Sequence, residues 1–208
     1  MSRKDCFPGA DGSTIQQTIG YNASTIPIYD TSGNTLIEGS ATGLRMVNIT
    51  TTGVLNGNTS QVYVIKHPLS FVYNQNEPWD WYTNIESYQN NALWEERKKS
   101  TYDPCPQGWR VPPTASKTFK DFLSFTASGS GIDVANGIKY SNIAWFSVAG
   151  YRRYSGGTLG NVGYHGYYWS TSSNETWSEG LYLSLNGVTP GYPSYGRGYA
   201  FPIRCIQE

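Results

Sequence analysis

Few side chains in this sequence are placed to do bond-making chemistry. There are two histidines, His67 and His165, and three cysteines, Cys6, Cys105 and Cys205. His67 stands before a proline where a strand gives way to a turn, and reads as a surface or loop histidine. His165 lies among tyrosines and glycines and reads as one contact residue among them. Glu95 and Glu96 are adjacent, so their side chains point apart and do not form the facing carboxylate pair that acid–base chemistry needs. Asp103 precedes Pro104 in a turn, where an Asp side chain bonds the local backbone. Asp80, between two tryptophans, reads as part of an aromatic loop anchor rather than a metal ligand. No hydrolase elbow, zinc-protease helix, phosphate-cradling loop or dinucleotide fingerprint is present. No Cys/His spacing suggests zinc. These absences make no cofactor and no catalytic residue the expectation.

The chemistry that is abundant is recognition chemistry. Between Trp145 and Cys205 the chain holds no lysine and two carboxylates, Glu175 and Glu179, while Tyr, Gly, Ser and Asn dominate. Tyrosine offers a large, stiff contact surface with a polar tip at low entropic cost. Ser, Gly and Asn add adaptable hydrogen bonding. The residues singled out as ligand contacts are Tyr154, Tyr164, His165, Tyr167, Tyr182, Tyr192, Ser194, Tyr195 and Tyr199. On this reading, replacing Tyr164, Tyr192 and Tyr195 by Ser removes binding with little loss of stability.

Composition narrows the partners. Fifteen basic and fifteen acidic residues cancel, and no basic stripe occurs, so nucleic acid is not an expected partner. No run of eighteen apolar residues is present, so no membrane-inserted helix is expected. The N-terminus lacks the apolar run of a secretory leader. Two settings remain: a phage structural protein, or the C-terminal piece of a longer secreted one. The odd cysteine count leaves at least one thiol unpaired or intermolecular. Cys105 in a Pro-Cys-Pro turn and Cys205 at the end of the chain read either as a disulfide pair or as two small buried apolar side chains.

The elements that must hold these residues read as follows. Residues 1–60 form short strands and turns, a small β-rich attachment or oligomerisation region. Its signals are Thr25 to Tyr29, a turn over 30–34, the alternating stretch Leu44 to Ile49, and an Asn56-Gly57 turn. A strand follows over 61–65. Residues 61–208 form the ligand-binding domain, with the recognition segment at about 150–200. One amphipathic helix is expected over 114–127, capped by Thr114 or Ser116, with Phe119, Phe122, Leu123 and Thr126 at helical spacing. Short strands are expected at 143–146, 167–170, 181–185 and 201–206, joined by long Gly- and Tyr-rich loops. Fold class is therefore α+β with short strands, one or two helices and long loops.

Four ordered blocks carry a family resemblance: Tyr102 through Pro112 (Tyr-Asp-Pro-Cys-Pro-Gln-Gly-Trp-Arg-Val-Pro), Phe146 through Arg152, Gly166 through Ser172, and Ala200 through Ile206. Together they resemble the Fibrobacter-type paralogous domain of Bacteroidetes surface proteins. That resemblance implies a C-type-lectin-like fold of the formylglycine-generating-enzyme kind. The C-terminal block is also similar to the variable region of a diversity-generating retroelement target protein. In such proteins error-prone copying at adenines rewrites chosen codons. The resemblance implies scaffold at Leu159, Asn161, Trp169, Leu181, Leu183 and Phe201. It implies variable sites at Gly160 and at the nine contact residues named above. The implied role is receptor binding at a phage tail-fibre tip or on a bacterial surface, against a cell-surface protein or glycan, by an oligomer such as a trimer. A fibre subunit whose tyrosines pack on neighbours, and a sugar-binding module, are the rival readings. The calcium-ligand words of sugar-binding C-type lectins are missing; Glu77-Pro78-Trp79 half-matches one of them.

Overall fold

The computed structural model describes residues 7–14, 20, 23–36, 43–114, 118, 126–127, 137–140, 144–184 and 187–208. The chain is strand-rich, α+β with little helix. Among the described residues it has one α-helix and five small open sheets.

The N-terminal part is mostly irregular. Ala10 bridges Thr25 and Tyr29 bridges Thr35, and no longer ladder forms among the described residues there. The turn at 30–34 forms as expected. The Asp30 carboxylate accepts from the amides of Ser32 and Asn34, both at 2.8 Å. Strand β1 (Arg45–Asn48) forms within the expected stretch, with Leu44, Val47 and Ile49 buried and Met46 exposed. The next turn sits one residue later than its signal, centred on Gly57 (φ 57°) and Asn58 (φ 69°). Both central residues of a type I′ turn need positive φ, which this pair accepts.

The strand expected at 61–65 is a helix, α1 (Gln61–Lys66). Its Val and Ile content favours a strand locally, but the topology overrides it. Strand β1 runs parallel to β2 (Ser70–Tyr73), and parallel neighbours need a crossover between them. Helix α1 is that crossover. It turns Val64 inward and leaves Ile65 71% exposed. Val47, Ile49, Val54, Val64, Val72 and Trp81 pack as one cluster. This cluster takes Val47, Ile49 and Val54 from before residue 60 and Val64, Val72 and Trp81 from after it.

Strand β3 (Trp109–Arg110) follows the Pro-Cys-Pro turn. The expected helix over 114–127 lies largely outside the described residues. Thr118 is helical, and its amide donates to the Thr114 carbonyl at 3.1 Å. At the far end, Thr126–Ala127 is strand β4, so the helix does not extend to Thr126. Strands β5 (Ile138–Tyr140) and β6 (Ala144–Phe146) complete an antiparallel sheet with β4. Strands β7 (Tyr151–Arg152) and β8 (Leu159–Gly160) form a short pair.

The largest sheet is β9 (Gly166–Asn174), β10 (Trp177–Ser184) and β11 (Gly187–Gly196), antiparallel with β10 central. The long loop expected near 190 is therefore a ten-residue strand. Pro190 and Pro193 disguise it. Proline cannot donate to a ladder, but an edge strand tolerates it, and the irregular pairing with β10 fits that position. The last strand is β12 (Ile206–Gln207), paired with β3. Residues 201–205 are irregular rather than a strand. They meet β9 through the Trp169 amide, which donates to the Pro202 carbonyl at 3.1 Å, and through Phe201, which stacks on Trp169 and Tyr167.

Alternation on the large sheet separates two faces. Leu181, Leu183 and Tyr168 pack on Phe146. The other face carries Tyr167, Trp169, Tyr182 and Tyr195 against Trp94, Val111 and Phe201. Trp169 is 2% exposed and stacks on Phe201 at 4.1 Å between ring centroids.

Candidate binding face

Cys105 and Cys205 form a disulfide that closes a separation of 100 residues. A loop of that length corresponds to about 4–5 kcal/mol of denatured-state entropy in the chain-entropy account. Asp103 sets the turn that presents Cys105. Its carboxylate accepts from the amides of Cys105 (2.8 Å) and Val111 (2.9 Å) and pairs with Lys99 at 2.9 Å. The local-backbone role expected for Asp103 is what the structure shows. Cys6 lies outside the described residues.

The tyrosines expected as contacts come together in one aromatic band. Cross-strand pairing puts Tyr182 of β10 opposite Tyr167 of β9 and Gly180 opposite Tyr192 of β11. The Tyr182 ring lies 5.3 Å from Tyr167 and 6.0 Å from Tyr192. His165 lies 5.1 Å from Tyr182, with Tyr164 4.7 Å beyond it. In the other direction Tyr192 meets Tyr195 at 5.0 Å, and Tyr195 meets Tyr199 at 6.2 Å. Tyr199 meets Tyr154 at 4.9 Å. Ring pairs at such distances, edge-on or tilted, add stabilisation beyond their buried area.

Depth divides the band. Tyr192 is 42% exposed and Ser194 is exposed. Tyr154, Tyr164, His165, Tyr182 and Tyr199 are half-buried. Tyr167 and Tyr195, at 7% and 9% exposed, are core residues on which the others rest. They offer a ligand little surface, and the expectation that Tyr195 can be truncated without loss of stability fails for that reason. Gly160 is also a poor site for variation. A Cβ there would come within 2.9 Å of the Tyr151 ring.

A hydrogen-bond cluster fixes one end of the band. Asn161, in the left-handed region at φ 53°, donates to the Tyr167 hydroxyl at 3.0 Å. The Tyr182 hydroxyl is 3.2 Å from Nε2 of His165, and Nδ1 of His165 is 3.2 Å from the Asn161 side-chain nitrogen. The His165 amide donates to the Asn161 carbonyl at 3.0 Å. Burial holds the His165 imidazole below its usual pKa. Burial raises Tyr167, Tyr182 and Tyr195, and pushes Tyr199 up to about 12. All of these groups are neutral at pH 7. Neutral rings of this kind are suited to hydrogen bonding and apolar contact.

The sequence reading missed the other end. Trp79 and Trp177 stack at 4.6 Å, and Trp79 reaches Tyr154 at 6.3 Å. Gly196 and Gly198 make room for Trp79, since Cβ atoms there would come within 2.9 and 3.0 Å of its atoms. Trp79 lies about a hundred residues upstream of the tyrosines, in a segment assigned to core and loop anchors. The Gly-Arg-Gly word at 196–198 was the available signal. Arg197 between these glycines is 2% exposed and donates to Asn91 and to the Glu175 carbonyl. Asp80 is also internal, accepting from the Tyr82 amide and from Gln89.

Among the described residues no group of three or more His, Cys, Asp or Glu is gathered as a metal site. None of the helices described is long and apolar enough to cross a membrane. Comparison with protein-family models, with curated proteins and with solved structures finds no match to this chain.

Proposed function

We propose that this chain is a non-catalytic, receptor-binding domain of C-type-lectin-like kind. It presents Tyr154, Tyr164, His165, Tyr182, Tyr192, Ser194 and Tyr199 to a protein or glycan on a cell surface, from a phage tail fibre or a bacterial surface. The observation that carries this reading is the layered aromatic band. A buried floor of Tyr167, Trp169, Tyr195 and Phe201 supports half-buried rings, Tyr182 and Tyr199 among them, and the exposed ring of Tyr192. A site that must change its specificity without unfolding needs that separation. Diversification by a retroelement, at the upper residues of the band, is part of the proposal. So is presentation as an oligomer, in which several weak sites act together.

The test is binding of the labelled chain to a panel of bacterial cells and immobilised glycans. The expected result is saturable binding to at least one target, lost in a Tyr164→Ser, Tyr182→Ser, Tyr192→Ser variant that still folds. A variant that binds as the parent does overturns the assignment. A variant that instead loses only self-association supports the rival reading of a fibre subunit.

A further inference from the structure

We propose that a second, internal site binds a small amphiphile with an apolar tail and a carboxylate head, the head held by Arg152. A cavity of about 440 Å³ lies beneath the N-terminal strap Phe7-Pro8-Gly9, beside the disulfide. Its size falls in the range of small-molecule sites, about 300–1,000 Å³. Trp81, Trp94, Trp169 and Phe201 are among its walls, and Leu159 and Ile203 extend its apolar lining.

One charged group lines this space. Arg152 is 3% exposed. Its guanidinium donates to the Gly157 carbonyl (2.8 Å), the Pro8 carbonyl (2.6 Å) and the Thr25 hydroxyl (2.8 Å). All three acceptors are neutral, and a guanidinium has five N–H donors. Among the described residues no carboxylate pairs with Arg152. Burial lowers its pKa to about 10, which leaves it charged at neutral pH. A buried cation without a counter-ion is costly, and removing the partner of a buried ion is among the more destabilising changes known. A ligand carboxylate supplies the missing charge, and an alkyl or aryl tail fills the apolar space. Pro8 of the strap beside the cavity accepts from the same guanidinium, so ligand and strap meet at one residue.

This site shares Trp169, Phe201 and Tyr199 with the underside of the tyrosine band but does not rest on the function proposed for it. The test uses the full chain and dodecanoate as probe, read by tryptophan fluorescence and by titration calorimetry. Trp81, Trp94 and Trp169 report directly because they line the cavity. The expected result is saturation at one equivalent, with dodecanol binding about tenfold or more weakly, the scale of a charge-assisted hydrogen bond. Ala200→Leu, which fills part of the cavity and keeps Arg152, is expected to weaken dodecanoate by a similar factor. Three results overturn the proposal. They are no saturable dodecanoate binding, equal binding of dodecanoate and dodecanol, and parental affinity in Ala200→Leu. The last would place the probe elsewhere, on the tyrosine band for example, which the Tyr192→Ser variant then detects.

Discussion

Tyr192 and Tyr195 stand three residues apart on β11, and their truncations are expected to differ by an order of magnitude in cost. Tyr195 is 9% exposed, and its ring contacts Phe201 at 4.8 Å, Tyr167 at 5.8 Å and Trp169 at 6.1 Å. Cutting such a residue to Ser leaves a cavity under the sheet and costs about 3–5 kcal/mol, the range for large aromatics truncated in cores. Tyr192 is 42% exposed, and surface changes of this kind stay within about 0.5 kcal/mol. For a chain of this length about 1 kcal/mol moves the midpoint by about 2–4 °C. Thermal unfolding followed by circular dichroism, disulfide intact, is therefore expected to place Tyr195→Ser about 6–20 °C below the parent and Tyr192→Ser within about 2 °C of it. Two results refute the layered band. Equal, large losses mean that Tyr192 is core as well. Equal, negligible losses mean that the floor assigned to Tyr195 does not support the fold.

Four further outcomes are expected. Trp169→Ala loses about 3–5 kcal/mol in denaturant unfolding, whereas Trp109→Ala loses about 1 kcal/mol or less, since Trp109 is 44% exposed and Trp169 2%. Three cysteines less the bonded pair leave one, so thiol titration of the unreduced, unfolded chain finds one reactive group, and reduction lowers stability by up to about 4–5 kcal/mol. Tyr199 rises from 10.0 to about 12 on folding, and Tyr167 and Tyr195 rise as well. The folded state therefore holds protons that the unfolded state releases above pH 10. Stability is fully present below that pH and falls as pH rises toward 12. Tyrosinate absorbance is then expected in two phases, exposed rings first and buried rings with unfolding. Sequencing the DNA around the 3′ end of the gene is expected to find a near-copy of the segment encoding 150–200. The copy differs where it carries adenine and lies beside a reverse-transcriptase gene. Absence of such a copy removes diversification from the proposal and leaves the binding face to be tested separately.

Legibility in the sequence followed how local each cause was. The 30–34 turn and the Asp103 turn were readable because one side chain bonds amides a few residues away. Strand β10 was readable because its burial repeats nearly every second residue, whereas β9 is buried on both faces over Gly166–Ser170 and was readable from its apolar run. The helix at 61–66 was not, because its cause is the parallel pairing of β1 with β2 on either side of it. Strand β11 was hidden by Pro190 and Pro193, whose placement makes sense only once β11 is known to be an edge.

The sequence by itself determined the kind of surface this protein carries. Nine tyrosines, no lysine and few carboxylates after Trp145 favour an aromatic, weakly charged face. It also named the two cysteines that could pair, leaving the pairing open. The tertiary structure decided depth. Tyr167, Tyr182, Tyr192 and Tyr195 are one residue type in one compositional setting, and nothing local distinguishes them. Which are floor and which are contact depends on strand register, on Phe201 stacking on Trp169, and on Trp79 arriving from a hundred residues away to extend the band. The same long-range packing left Arg152 buried beside an apolar cavity, with neutral oxygens as its acceptors. Burial is a sum over contacts from the whole chain, so it is fixed only when the chain has folded.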